Sequence, residues 1–255
     1  SIDIDADLVA LFACSVAAWW LTLGVSYAWA RGVATSRARR GALTLVGAFP
    51  NTGFVGFPLA QLAFGTDGLR LAVIYDQLSL LVPAIVVANI IARRHVPPRA
   101  GEPSGWADTR RQLLMSAPLW AVAILVTLRL TVLPEPVDLD WLGSIIGHVV
   151  GPIGFFLLGL SIPLHGFDHA RREVVEVAGA VTVRILVAPL LLLVLASAVS
   201  IDVPPALYLI AAMPTAFHAL VISRLHDMEV ASVRLGILAS TAIVVLGTVA
   251  WVALA

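Results

Sequence analysis

The chain has 255 residues, of which 60% are hydrophobic and only 13% are charged, and its mean hydropathy is +0.96. Soluble domains carry about 25% charged residues, so this composition excludes a water-soluble globular protein and specifies a polytopic membrane protein. The 16 basic residues are all arginine and are balanced by 16 acidic ones. No lysine is available for Schiff-base chemistry, and no basic face exists for a nucleic-acid partner.

The one cysteine, Cys14, lies in an apolar stretch and reads as a packed thiol. Asp3, Asp5 and Asp7 precede that stretch, where a secretory signal would need positive charge. Eight apolar segments, each near the ~20 residues needed to span a bilayer, cover roughly 8–30, 42–64, 69–92, 113–132, 141–164, 174–198, 204–223 and 231–254. The long link from Arg93 to Arg111 holds Pro97, Pro98, Gly101, Pro103 and Gly105 and reads as a loop. Arginines crowd alternate links, those after segments one, three, five and seven, while the other links are acidic or neutral. The positive-inside rule then predicts an inner-membrane protein with Arg-rich loops in the cytoplasm and both termini outside.

Segment two carries the least regular stretch, Ala48 to Leu59, with Pro50, Pro58, Gly53, Gly56 and the Asn51-Thr52 pair. Proline has no N–H to donate inside a helix. In hydrocarbon, freed backbone groups are tolerated only where protein or a water-filled cavity covers them. Segment two is therefore expected to be a broken helix lining a polar site. Segment seven answers it with Met213-Pro214-Thr215 at mid-span, in the opposite orientation. The offset that carries Pro50 onto Pro214 also carries Asp76 onto Ser240. Interrupted helices at matching places in two inverted halves mark a secondary transporter.

The run PNTGFVGFPL from Pro50 to Leu59, with AFGTDGLRLAVIYDQ ending at Gln77, resembles the fourth and fifth helices of the auxin efflux carrier family. FFLLGLSIPL, RILVAPLLLL and AMPTAFHALVISRLHDMEVASVRLGILASTAIVVL resemble its seventh, eighth, and ninth with tenth helices. The resemblance implies an all-α, inverted-repeat fold akin to sodium/bile-acid symporters, whose two broken helices cross at their prolines, here Pro50 and Pro214. It also implies a core domain formed by 1–95 and 167–255, a cytoplasmic loop 96–111 and a partial scaffold 112–166. On that resemblance two N-terminal helices of the family's ten are expected to be missing from this sequence, as in a fragment or a natural eight-helix variant.

The expected substrate-binding residues are Pro50, Asn51, Thr52, Gln77, Pro214 and Thr215. Half-helix N-termini at a break can hold a small anion without a basic side chain, and Asn51 and Thr215 either bind it or cap the helix. Asp76 sits well below the membrane surface, where a carboxylate is a functional hypothesis by default; it carries a coupling proton, ligates a cation or faces a vestibule. Ser240 is its repeat mate. Arg184 either snorkels to the headgroups or counters Asp76 or an anionic substrate. His218 is a proton relay or a core histidine bonded to a carbonyl. His148 reads as structural. No metal-ligand spacing of the HExxH kind, no nucleophile elbow and no phosphate loop is present, so no cofactor and no enzymatic activity are expected.

The function expected is secondary active transport of a small organic anion, such as a carboxylate, by alternating access, with H⁺ or Na⁺ as coupling ion. The partners are that anion and the lipid bilayer, and a homodimer is compatible with this reading. The alternative is a non-transporting membrane sensor or assembly protein using the same pocket.

Overall fold

A computed structural model of the protein describes residues 6–96 and 171–254, with scattered positions between 110 and 159. Most of the expected scaffold pair, segments 113–132 and 141–164, and of the link before it lies outside the described residues, as does His148. The described residues are helical and carry no strand.

Helix α1 (Ala6–Val33) is a span of nearly uniform apolarity. It is followed by α2 (Arg37–Ala48), an irregular crossing, a π-helical turn (Thr52–Gly56), α3 (Phe57–Ser79) and α4 (Leu81–His95). The second half repeats the plan: α5 (Arg171–Thr182), a π-helical turn (Val183–Val187) and α6 (Ala188–Ala198), then α7 (Pro205–Ala211), a second irregular crossing, α8 (Phe217–Leu225) and α9 (Val230–Leu254). Among the described residues three stretches are long and apolar enough to cross a bilayer unaided, Leu8–Val33, Arg171–Ala198 and Val230–Ala250. These are the partners of the broken helices, whose halves are each too short to span.

Local chemistry sets the irregularities. Ser36 opens α2 as an N-cap, accepting a hydrogen bond from the Arg39 N–H. Segment two breaks at Pro50 as expected, but Pro58 makes no second gap. It stands in the first turn of α3, directly after the π-helical turn. Pro189 stands in the same relation to the turn at Val183–Val187. In each, the N–H of the residue after the turn donates to the carbonyl five residues back, Phe57 to Thr52 and Ala188 to Val183, and the widened turn keeps the proline ring clear of the carbonyl it would otherwise strike. The two halves of the repeat thus solve the same steric problem identically.

Segment three, expected as one helix over 69–92, is bent. Gly65 at φ 64° turns the chain between segments two and three, and Leu80 departs from helical geometry at φ −123°, ψ −32°. Pro83 suits the second bend: it has no N–H to donate to the Ser79 carbonyl. In the other half, Asp227 takes the left-handed conformation at the corresponding turn, φ 50°, which aspartate tolerates better than most residues.

In lipid, helices associate by close packing rather than by escape from water. Helix α2 is the hub, touching α1, α4, α5, α8 and α9, and every residue from Gly41 to Ala48 is buried. A methyl at Gly47 would strike the Ser26 hydroxyl and stand 3.1 Å from the Ala180 carbonyl oxygen, so α1, α2 and α5 meet there with only the small Ser26 side chain between them. At the Arg-rich end one guanidinium ties the starts of α2 and α5 to the α8–α9 link. Arg39 lies 2.9 Å from Glu176, 3.0 Å from Glu229 and 3.3 Å from Glu173. Arg172 adds a second ion pair to Glu176 at 2.9 Å.

Candidate functional site at the helix crossing

The two interruptions meet. Pro50 and Thr215 form an antiparallel bridge of one residue pair, closed by Asn51 N–H donating to the Pro214 carbonyl at 2.6 Å and Ala216 N–H donating to the Phe49 carbonyl at 2.8 Å. The sequence suits this geometry at each place. Phe49 precedes a proline and is driven out of the helical region, to φ −103°, ψ 110°. Pro50 occupies the member of the pair that exchanges no hydrogen bond, where a missing N–H costs nothing. Pro214 is asked only for its carbonyl. Thr215 N–H, facing away from the bridge, donates to Ser240 Oγ at 3.0 Å, and Thr215 Oγ1 donates to the Val46 carbonyl at 2.9 Å. All the backbone groups named here have partners, as a membrane interior demands.

Four half-helix ends surround the bridge. The carbonyl ends belong to α2 and α7, and Arg184 joins them: Nη1 donates to the Ala48 carbonyl at 2.9 Å and Nη2 donates to the Ala211 carbonyl. Trp19 Nε1 also donates to the Ala48 carbonyl, at 3.0 Å. Arg184 is 1% exposed. It therefore neither snorkels nor pairs with Asp76, because two helix C-termini present it with concentrated negative potential at close range. The widened turn that accommodates Pro189 also contains Arg184.

The N–H ends are the π-helical turn at Thr52 and helix α8 at Phe217. Asn51 caps the first, its Oδ1 accepting from Phe54 N–H at 3.2 Å. The second starts at Ala216 without a side-chain cap. Space is open beside the first turn, since a methyl at Gly53 would meet nothing within 4 Å. Thr52 Oγ1 donates to Asp76 Oδ1, and Gln77 Nε2 donates to Asp76 Oδ2 at 3.0 Å. Gln77 Oε1 and Thr241 Oγ1 are shielded from solvent without a hydrogen-bond partner among the described residues, so each has capacity left for a ligand.

Pro50, Asn51, Thr52, Asp76, Gln77, Pro214, Thr215, Ser240 and Arg184 thus stand around one crossing. His218, the second residue of α8, is half-buried beside it. The repeat symmetry has a chemical form: segment three braces its own break through Asp76 and Thr52, and segment eight braces its break through Ser240 and Thr215. Trp19 was not legible beforehand, because an indole in an apolar helix gives no sign of which carbonyl it will find. Among the described residues no cluster of His, Cys, Asp or Glu is arranged to hold a metal.

Comparison with known proteins finds matches along nearly the whole chain. The family model for a membrane transport protein matches residues 2–252. A protein of Methanothermobacter thermautotrophicus named as an uncharacterized transporter is 26% identical over 257 residues, covering 96% of this chain and 78% of the relative.

Proposed function

We propose a specific task for a chain that belongs to the membrane transport protein family, that of the auxin efflux carriers: secondary active transport of a small organic anion at the helix crossing. That it is a multi-pass membrane protein with a transport role follows from the family and the apolar spans. The anion and the mechanism are our reading, and the observation that carries both is the division of the four half-helix ends by sign. The two carbonyl ends are already occupied by Arg184. The two N–H ends keep their partial positive charge, and space is open beside the first of them at Gly53. An anion suits that side without any basic side chain. Gln77 Oε1 is placed to accept from a hydroxyl or a protonated carboxyl of the substrate.

Asp76 is the carboxyl bonded to Thr52 at the crossing and is proposed to hold the coupling proton. Sodium is the weaker candidate, because the guanidinium already sits on two of the carbonyls a cation would seek. Movement of the core, 1–95 with 167–255, against the scaffold would expose the crossing to each side in turn. The Arg-rich links are placed in the cytoplasm and both termini outside.

The test is uptake into proteoliposomes of labelled malate, malonate and an auxin-like aromatic acid under an imposed pH gradient. One of these acids should accumulate, and Asp76→Asn should bind it while losing the dependence on the gradient. Accumulation of a cationic or neutral solute in preference to every carboxylate would overturn the anion assignment. Unchanged proton coupling in Asp76→Asn would remove Asp76 from the mechanism.

A further inference from the structure

Away from the crossing, a groove of about 680 Å³ runs between α1, α2 and α4. Its wall is apolar, from Trp20 and Leu23 on one side to Val87 and Ile90 on the other, and its floor opens at Gly24, where an added methyl would meet nothing within 4 Å. Its arginine end is formed by Arg37, Arg40 and Arg94. Arg37 and Arg94 are exposed, and Arg40 Nε is shielded without a hydrogen-bond partner among the described residues. Among those residues no carboxylate forms an ion pair with any of the three, whereas nearby Arg39 is surrounded by Glu173, Glu176 and Glu229. Among the described residues Glu173, Glu176 and Glu229 are thus drawn to Arg39 rather than to the groove, whose three arginines keep their charge uncompensated by them. Tyr27 stands edge-on to His95 at 6.1 Å beside that end, the kind of amphipathic ring that settles at headgroup level.

We infer that this groove is a binding site for an anionic phospholipid, whose phosphate lies among Arg37, Arg40 and Arg94 and whose acyl chain lies along Trp20, Leu23 and Ile90. Charge complementarity carries the choice of occupant. An uncompensated cluster of arginines at the end of an apolar channel matches a headgroup that is anionic and a tail that is not. Basic pockets between transmembrane helices on the cytoplasmic side are suited to such headgroups, and that is the side where the arginine links are placed. Arginine binds phosphate through a planar fork of donors, which a zwitterionic headgroup would partly oppose with its own cation. The site stands apart from the proposed transport pathway and does not depend on it.

The test uses the full chain purified in detergent, with native mass spectrometry and thermal unfolding as readouts. The probes are phosphatidylglycerol, phosphatidylcholine of the same acyl chains, and inorganic phosphate. Phosphatidylglycerol should be retained and should raise the unfolding temperature, while phosphatidylcholine and free phosphate should do neither. Neutralising Arg40 and Arg94 together as R40Q/R94Q should weaken retention on the order of fivefold per arginine. Gly24→Leu should abolish retention at unchanged stability of the lipid-free protein, since the new side chain fills open space. Equal retention of the two lipids, competition by inorganic phosphate, or full retention by Gly24→Leu would overturn the inference. So would a loss of self-association in Gly24→Leu, which would make the groove a seat for a second copy.

Discussion

Replacing Arg184 by methionine removes the clamp on the two carbonyl ends while keeping most of the side chain's volume. Hydrogen bonds from a charged donor contribute about 1.5–3 kcal/mol each, and Arg184 makes two, to Ala48 and Ala211. The two losses are unequal. The Ala48 carbonyl keeps its bond from Trp19 Nε1, whereas the Ala211 carbonyl is left at a buried helix end, at a further cost of about 1–3 kcal/mol. Against this, a buried guanidinium no longer has to be desolvated, which returns several kcal/mol. The net expectation is a destabilisation of about 2–4 kcal/mol, the size of other broken buried polar contacts.

Thermal unfolding in detergent, followed by tryptophan fluorescence, reads this out. Trp19→Phe should cost less, about 1 kcal/mol. The double variant should cost more than the sum of the two, because each single variant leaves Ala48 one donor and the double leaves none. Arg184→Lys should be intermediate, since an ammonium is a point charge without the fork that reaches both carbonyls. An Arg184→Met protein as stable as the parent, with an additive double variant, would refute the clamp and with it the assignment of the N–H ends to the substrate.

Other outcomes follow from the same geometry. Asn51→Ala should lose a helix cap worth about 1 kcal/mol and should lower uptake of the transported anion, yet keep the crossing, because the bond to Pro214 uses the Asn51 main chain; limited proteolysis and uptake together check this. Gly47→Leu should prevent stable folding, since its side chain would meet the Ser26 hydroxyl and the Ala180 carbonyl, and a monodisperse, native-like chromatographic profile would contradict the packing. Glu229 lies in the α8–α9 link, and burial, with Glu173 and Glu176 alongside, raises its carboxyl above the ordinary 4.5 despite the nearby Arg39 and the Ser232 hydroxyl. The folded state therefore favours the protonated form, so this residue contributes stability below 4.5 that is lost as pH rises through the raised value. The difference in unfolding temperature between parent and Glu229→Gln should change across that window, and a difference constant with pH would exclude the effect.

The crossing was legible because proline acts through the backbone. A missing N–H in hydrocarbon must be answered locally, so Pro50 and Pro214 announced their breaks without knowledge of the neighbours, and their opposite orientation supplied the repeat. The link from Thr52 to Asp76 was legible only in part: the depth of Asp76 marked it, but its partner depended on how the segments pack. What stayed hidden was register. Pro58 and Pro83 carry the same chemical signal, yet one is absorbed by a π-helical turn and the other bends the chain at Leu80, and the choice depends on whether the helix can widen before the proline. Arg184 is the instructive case. Its position in an apolar segment fitted snorkelling equally well, since the free energy of reaching water competes with that of a nearby anionic partner. Here the competitor is no charged residue at all but two helix C-termini, which exist only because two prolines elsewhere have stopped two helices. The arginine and the prolines are therefore one device distributed over three segments, and variants of Pro50 or Pro214 that let a helix run on should leave Arg184 buried without its acceptors. Such variants should destabilise the chain more in the presence of Arg184 than in its absence, a coupling that unfolding of the paired variants would measure directly.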